Sequence, residues 1–258
     1  MTDILAKTPT VPDGRILKYQ IKNKDTGDIV AHHTQVVSRV TEEGQECYKV
    51  EVRTEGGGIG VLEETAVLGI ADTLKLVSWH LVAHDNRGNK WMESSGKYAD
   101  LKELLESSLT SVKRCAMQSP CLGCVNITNC TPPGMVNFCL EGLPLTPKSK
   151  GNVLIMLVEG KYLEIDTATS SKERVTVPAG DSECYKLESF PDLSCVLNNI
   201  PVHVPGMAMM VKPLLATTHR WLSVEEPHYL VMFEGSICMA AAGERVIGEL
   251  MSIETPNG

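Results

Sequence analysis

Short runs of alternating apolar and polar residues dominate the chain from residue 15 to residue 95. In the run Cys47–Thr54, the side chains of Tyr48, Val50 and Val52 fall on one face, and charged residues alternate with them. A period of two is typical of a half-buried antiparallel strand. Similar runs, separated by turns rich in Gly, Asp and Asn, predict strands over Arg15–Ile21, Ile29–Val40, Ile59–Leu68 and Thr73–Ala83. This part of the chain therefore predicts an antiparallel meander.

The same pattern returns in the second half of the chain. It predicts strands over Val153–Val158, Tyr162–Thr167, Arg174–Val177, Ser182–Ser189, Tyr229–Phe233 and Arg245–Ile253. Between the two β-rich parts, the segment from Cys115 to Pro147 is rich in cysteine and proline and shows little periodicity, so we interpret it as a long ordered loop.

One amphipathic helix is predicted over Asp100–Lys113. Asp100 can cap its first turn and Glu103 can complete a capping box. The leucines of this segment recur at helical spacing and form one apolar stripe. Such a stripe needs a partner to cover it, and the predicted sheet would supply one.

Two strands in different halves of the chain have similar sequences. QECYKVEV at residues 45–52 and SECYKLES at residues 182–189 share Glu, Cys, Tyr, Lys and Glu in register. A duplicated β-unit would explain this similarity, although a strand of this composition can also recur by chance. We expect a single β-rich domain over residues 1–258, with a pseudo-repeat over 13–113 and 150–254 joined by the Cys-rich segment 114–149.

The segment GKYLEIDTATSSKERVTVPAGDSECYKLES, at residues 160–189, resembles the paired strands and connecting turn of a bacterial family known as domain of unknown function 3108. Residues 14–37 resemble its opening hairpin, and residues 244–253 its closing strand. The resemblance implies a curved antiparallel half-barrel similar to lipoprotein-carrier proteins. The insert from Cys115 to Cys139 departs from the family's pattern.

Pattern and resemblance together predict a mainly β fold. We expect a strongly curved antiparallel sheet or half-barrel, with one amphipathic helix and a Cys-rich loop. A strongly curved sheet closed by a single helix commonly leaves a cleft.

Charge and hydropathy exclude several classes of partner. The chain has 24 basic and 32 acidic residues, which disfavours nucleic acid or an anionic membrane as its main partner. No apolar stretch approaches 18 residues, so we expect no transmembrane segment. The amino terminus lacks the basic and apolar regions of a signal peptide, which favours the cytoplasm. The periplasm is the alternative if the chain is a trimmed mature form.

The Cys-rich segment contains the first candidate site. Cys115, Cys121, Cys124 and Cys130 are spaced C-x5-C-x2-C-x5-C, and their thiolates could hold a zinc ion or an iron–sulfur cluster. Paired knuckles are the usual zinc pattern, and only Cys121 and Cys124 form one here. One or two disulfides, or unlinked thiols, are the alternatives.

A Met-rich stretch is the second candidate. Met207, Met209 and Met210, with Trp221 further along, could line an adaptable apolar pocket because thioether side chains adjust to varied ligands. Filling of the protein core is the alternative explanation. The histidines are weaker candidates for a site. His32 and His33 are adjacent in a strand and must point to opposite faces.

No nucleophile elbow, P-loop, dinucleotide fingerprint or zincin motif occurs, so the sequence leaves open whether the protein is an enzyme. The first hypothesis is a binding or carrier protein that holds an apolar or amphipathic small molecule in the concave face of the sheet. The alternatives are an enzyme or redox accessory protein centred on the cysteine cluster, and an interaction subunit that pairs with a partner through its sheet edges.

Overall fold

The computed structural model describes residues 7–56, 60–72, 74–97, 130–131, 136–143, 145–146, 150–156, 162–191, 217–235 and 245–256. Within these ranges, only the backbone is described for residues 94, 130–131, 136, 150–156, 162–166 and 190–191.

Thirteen strands and one short helix are found in the described part of the chain. The first six strands are β1 (Arg15–Asn23), β2 (Ile29–Glu42), β3 (Gln45–Gly56), β4 (Val61–Gly69), β5 (Lys75–His84) and β6 (Lys90–Lys97). The next elements are β7 (Cys130–Thr131), α1 (Val136–Leu140) and β8 (Lys150–Met156). The last five are β9 (Tyr162–Val177), β10 (Gly180–Pro191), β11 (Thr218–Ser223), β12 (Leu230–Gly235) and β13 (Val246–Glu254).

All thirteen strands belong to one open, curved sheet in the order β6-β5-β4-β3-β2-β1-β13-β12-β11-β10-β9-β8-β7. Neighbouring strands are antiparallel except β7 and β8, which pair in parallel. The first half of the chain meanders outward from β1, and the second half meanders back toward β13. The centre of the sheet is therefore formed by β1 and β13, where Tyr19 pairs with Leu250.

Alternation along the strands gives the sheet a buried face, here called the inner face, and an opposite outer face. On β1, Leu17, Tyr19 and Ile21 are buried and point inward, whereas Lys18 is exposed. The outer face of the sheet centre carries ion pairs across strands, among them Lys18–Glu254, Lys22–Glu249 and Lys24–Glu234. These pairs are exposed or partly exposed, so they contribute little to stability but keep this part of the face polar.

Two segments cross the inner face and cover part of it. The first, residues 7–12, places Val11 against Tyr48, whose hydroxyl accepts a hydrogen bond from Val11 N at 3.3 Å and donates one to Pro9 O at 3.0 Å. The second contains α1 and the residues after it. Phe138 of α1 meets the Tyr48 ring edge-on, with centroids 5.7 Å apart. Leu140 joins the other large core cluster, around Leu17 and Leu187.

The structure confirms the predicted fold class and most of the predicted strands. Five segments differ from the prediction. Two of them are the strands β6 and β7, which were not predicted. β9 is one strand of 16 residues rather than two, because the polar run between its ends keeps its backbone paired with β10. β11 was not predicted, since its sequence THRWLS does not alternate regularly. Residues 136–140, expected in a loop, form α1. The predicted helix Asp100–Lys113 lies outside the described residues.

Glycines with positive φ form the turns of the two hairpins that carry the similar sequences. In the β2–β3 turn, Glu43 and Gly44 both have positive φ, 52° and 82°, as a two-residue type I′ turn requires. In the β9–β10 turn, Gly180 has a φ of 123°, which a residue with a side chain rarely adopts. No helix among the described residues is long and apolar enough to cross a membrane.

Candidate ligand-binding site on the inner face

A buried ion pair joins the centre of the sheet to the segment that follows α1. Arg15 is the first residue of β1 and points inward, and Glu141 lies directly after α1. Arg15 Nη2 donates to Glu141 Oε1 at 2.9 Å, and the two side chains are only 3% and 1% exposed. A charged pair this deeply buried is unusual, because removing both groups from water is costly even when they are paired.

Much of the hydrogen-bonding capacity of this pair is unused. Arg15 Nε, Arg15 Nη1 and Glu141 Oε2 are buried and have no hydrogen-bond partner in the described part of the structure. Gln35, on β2, lies close enough to lower the pKa of the Glu141 carboxyl. Its Nε2 nevertheless forms no hydrogen bond of acceptable geometry. We call Arg15, Gln35 and Glu141 the buried polar cluster.

Apolar and aromatic groups surround the buried polar cluster. Leu17 pairs with Gln35 across β1 and β2, and Tyr19 follows on the same face. The Tyr19 hydroxyl donates to Leu230 O at 2.9 Å. Burial raises the pKa of Tyr19 well above its usual range, and the nearby charge of Glu141 raises it further. This environment has little access to water.

Burial also dominates the electrostatics of Glu141. It raises the pKa of the carboxyl, and the positive charge of Arg15 acts in the opposite direction without cancelling it. A partly satisfied polar network in an apolar interior is less stable than a fully satisfied one. The buried polar cluster is therefore a place where a better-matched polar group would be favoured.

The remainder of the inner face is apolar. Core side chains come from strands on both sides of β1, and they include Val37, Tyr48, Val50, Ala66, Leu187, Leu222, Leu230 and Leu250. A mainly apolar concave surface with a few polar groups is typical of sites for small molecules.

The predicted site residues fall mostly outside the described part of the chain. Cys115, Cys121 and Cys124 are not described, and Cys130 is described only by its backbone, which pairs with Leu154 in β8. Among the described residues, no group of three or more His, Cys, Asp or Glu side chains could hold a metal ion. The cysteine site therefore stays a prediction.

Met207, Met209 and Met210 also lie outside the described residues. Trp221 is described, on β11, where it is 4% exposed. It pairs with Lys186, whose Nζ lies 5.1 Å from the centre of its ring, and its indole N–H donates to Glu173. Because Arg220 next to it contacts the inner-face segment through Asn137, Trp221 points to the outer face.

The histidines are placed as the alternation predicted. His32 is exposed, whereas His33 points inward and its Nδ1 lies 2.9 Å from the Thr54 hydroxyl. Burial lowers the pKa of His33 to about 4, so this ring is neutral at physiological pH.

Arg15, Gln35 and Glu141 were not among the site residues predicted from the sequence. Arg15 was assigned only as the start of a strand, and Glu141 belonged to the predicted loop. The one available signal was an inward position for a charged or amide residue, at Arg15 and at Gln35, in otherwise alternating strands.

Comparisons with known proteins give only distant similarities. No protein-family model and no curated protein matches the chain. A presumed exported protein with a YmcC-like fold from Bacteroides fragilis is 10% identical with a TM-score of 0.44, over 97% of this chain and 100% of that one. A presumed lipoprotein from Parabacteroides distasonis is 8% identical with a TM-score of 0.39, over 98% and 100%.

A third solved structure is a β-barrel-like protein of domain of unknown function 1849 from Brucella abortus. It is 8% identical with a TM-score of 0.41, over 95% of this chain and 99% of that one. None of these matches shows domain of unknown function 3108, so that resemblance is not confirmed. The prediction of a cytoplasmic location finds no support in these comparisons either.

Proposed function

We propose that the protein binds or carries an apolar or amphipathic small molecule on the inner face of its curved sheet. The observation that carries this proposal is the buried polar cluster within an otherwise apolar face. An amphipathic molecule would match both parts, with its polar group at Arg15 and Gln35 and its apolar part against the neighbouring core side chains. The resemblance of residues 160–189 to domain of unknown function 3108, a lipoprotein-carrier-like family, agrees with this proposal.

Titration with the neutral lipophilic dye N-phenyl-1-naphthylamine tests the proposal. We expect saturable binding of one dye per chain, with a rise in fluorescence, and displacement of the dye by lipid extracted from cells. A titration without saturation would contradict the proposal.

Two variants that add the same aromatic ring on opposite faces of β4 localise the binding. Ala66 is fully buried on the inner face, and its neighbour Val67 points the other way. We expect A66F to weaken dye binding and V67F to leave it unchanged, with circular dichroism showing that both variants keep their strand content. Equal weakening in both variants would place the dye elsewhere.

A further inference from the structure

The segment that covers the inner face after α1 has the chemical character of an amphipathic anion. We call residues 136–143 and 145–146 the strap. Its Phe138 and Leu140 are fully buried, and Leu143 and Leu145 are 8% and 7% exposed. Among these apolar side chains stands one carboxylate, Glu141, directed at Arg15. A carboxylate attached to a run of apolar groups is also the composition of a long-chain carboxylic acid.

The apolar part of the strap occupies the inner face as a bound alkyl chain would. Phe138 belongs to the core cluster around Tyr48 and Val50, and Leu140 to the cluster around Leu17 and Leu187. The strap therefore fills a path between the core clusters of the two halves of the sheet. Without it, apolar side chains of both halves would be exposed to water, which is unfavourable.

Polar contacts attach the strap to neighbouring segments, but its contact within the buried polar cluster is imperfect. Asn137 Oδ1 accepts a hydrogen bond from Arg220 Nε at 3.1 Å, and Gly142 O accepts one from Lys7 N at 2.7 Å. The Arg15–Glu141 contact uses one of the three guanidinium nitrogens, and the other two have no partner among the described residues. A free carboxylate can approach a guanidinium in the bidentate geometry that Glu141 does not reach.

Removal of the strap would leave Arg15 as an uncompensated positive charge within an apolar face. Such a site favours an anion and disfavours a cation or a neutral head group, because a buried unpaired charge is strongly destabilising. The strap and an external ligand would compete for the same residues. The apparent affinity for the ligand is therefore the intrinsic affinity multiplied by the fraction of time that the strap leaves the site free.

We propose that the strap is an internal substitute for the ligand and that the ligand is a long-chain carboxylate. Its carboxylate takes the place of Glu141 at Arg15 and Gln35, and its alkyl chain takes the place of the strap's apolar side chains. This proposal rests on the proposed function, because it names the chemical class of the molecule bound on the inner face.

Displacement of the neutral dye by three chain-matched amphiphiles tests the proposal: dodecanoate, dodecanol and dodecyltrimethylammonium, each below its micellar concentration. For the unmodified protein we expect dodecanoate to displace the dye at a concentration about tenfold lower than dodecanol does. Dodecyltrimethylammonium should be the weakest competitor.

The variant E141Q removes the competing carboxylate and leaves Arg15 without its anionic partner. We expect it to bind dodecanoate about tenfold more tightly than the unmodified protein does. The double variant R15Q/E141Q replaces the ion pair with neutral groups of similar size and avoids a buried unpaired charge. We expect it to keep dye binding but to lose the preference for dodecanoate over dodecanol.

The double variant K18Q/E254Q is the matched control. It removes an ion pair whose cation also lies on β1, but on the exposed outer face, and should leave all three affinities unchanged. Dye binding without a preference for dodecanoate, or unchanged dodecanoate affinity in E141Q, would overturn the ligand class and the role of the strap while leaving the proposed function in place. Absence of dye binding in every variant would overturn both.

Discussion

The β2–β3 hairpin and the β9–β10 hairpin use the same side chains in the same positions. Cys47 and Cys184 are fully buried, and each thiol donates to the carbonyl two residues earlier, at 3.6 Å and 3.8 Å. The tyrosine after each cysteine points inward. A basic residue on the neighbouring strand lies over its ring, Arg39 at 5.8 Å from Tyr48 and Lys172 at 4.8 Å from Tyr185.

The two hairpins differ in what covers the tyrosine. Tyr48 is held by residues 7–12 and by Phe138, whereas Tyr185 packs edge-on against His228, at a centroid distance of 6.1 Å. The similar strand sequences thus give the two hairpins the same local contacts. Segments distant in sequence determine what covers the tyrosine in each hairpin. We propose on this basis that residues 13–113 and 150–254 are repeats whose coverings have diverged.

Removal of the Phe138 ring should give the largest loss of stability. The lost contacts lie beside Tyr48, in the first of the two hairpins. We expect F138A to lower the free energy of unfolding by about 3–5 kcal/mol, because a fully buried ring is lost and a cavity remains beside Tyr48. Urea denaturation monitored by circular dichroism measures the change. F138L, which keeps most of the volume, should lose much less; an equal loss would mean that the edge-on contact with the Tyr48 ring, rather than the filled volume, is what stabilises the strap.

The dependence of stability on pH should also come from the first hairpin, since the second contains no histidine. His33 takes up a proton near pH 6.5 when the chain is unfolded but only at about pH 4 when it is folded. Stability is therefore full above pH 6.5 and is lost as the pH falls toward 4, by about 1–2 kcal/mol at pH 5.

Urea midpoints at pH 7.5 and pH 5 measure this loss. H33Q should flatten the dependence, and H32Q, one residue away on the exposed face, should not. If H32Q flattens the pH dependence of stability as much as H33Q does, burial of His33 is not the cause.

Removal of the hydroxyl group from Tyr48 and from Tyr185 should lower stability by different amounts. Tyr48→Phe leaves the buried Val11 N–H without its acceptor and Pro9 C=O without its donor, so we expect a loss of about 1–3 kcal/mol. The Tyr185 hydroxyl forms no hydrogen bond to a described residue, and Y185F should change stability by less than about 0.5 kcal/mol. Equal losses in the two variants would show that the hydroxyl contacts of residues 7–12 do not distinguish the halves.

Alanine substitutions in the two turns should give the smallest difference in the free energy of unfolding. A Cβ added at Gly44 or at Gly180 would meet no atom within 4 Å, so alanine acts only through the backbone. Gly44 has a φ of 82°, near the left-handed region, and G44A should cost about 1 kcal/mol. Gly180, at 123°, lies further from any conformation that alanine adopts, and G180A should cost about 2 kcal/mol. The difference in urea midpoints tests this order, and a larger loss in G44A would reverse it.

The sequence predicted the sheet far better than the site. Alternation around Tyr48 and Val50 identified both the strand and its buried face, because burial of one face imposes a period of two. The extent of β9 was not predictable, since backbone pairing with β10 keeps a polar run extended. The Arg15–Glu141 contact joins residues 126 positions apart, so no local pattern indicates it. Glu141 also lies beyond any regular strand or long helix, where periodicity has no meaning.

The pairing of β1 with β13 has a consequence for how the protein is made. Lys18 on β1 contacts Glu254 on β13, which lies 236 positions later in the chain. The central pair of strands therefore cannot form until β13 has been synthesised. During translation, the edge of β1 that pairs with β13 is therefore unpaired until β13 has been synthesised, and it is available to other chains in that time. Folding with such distant contacts is slow, and the yield of soluble product should depend on how long the ribosome takes to synthesise the chain between β1 and β13.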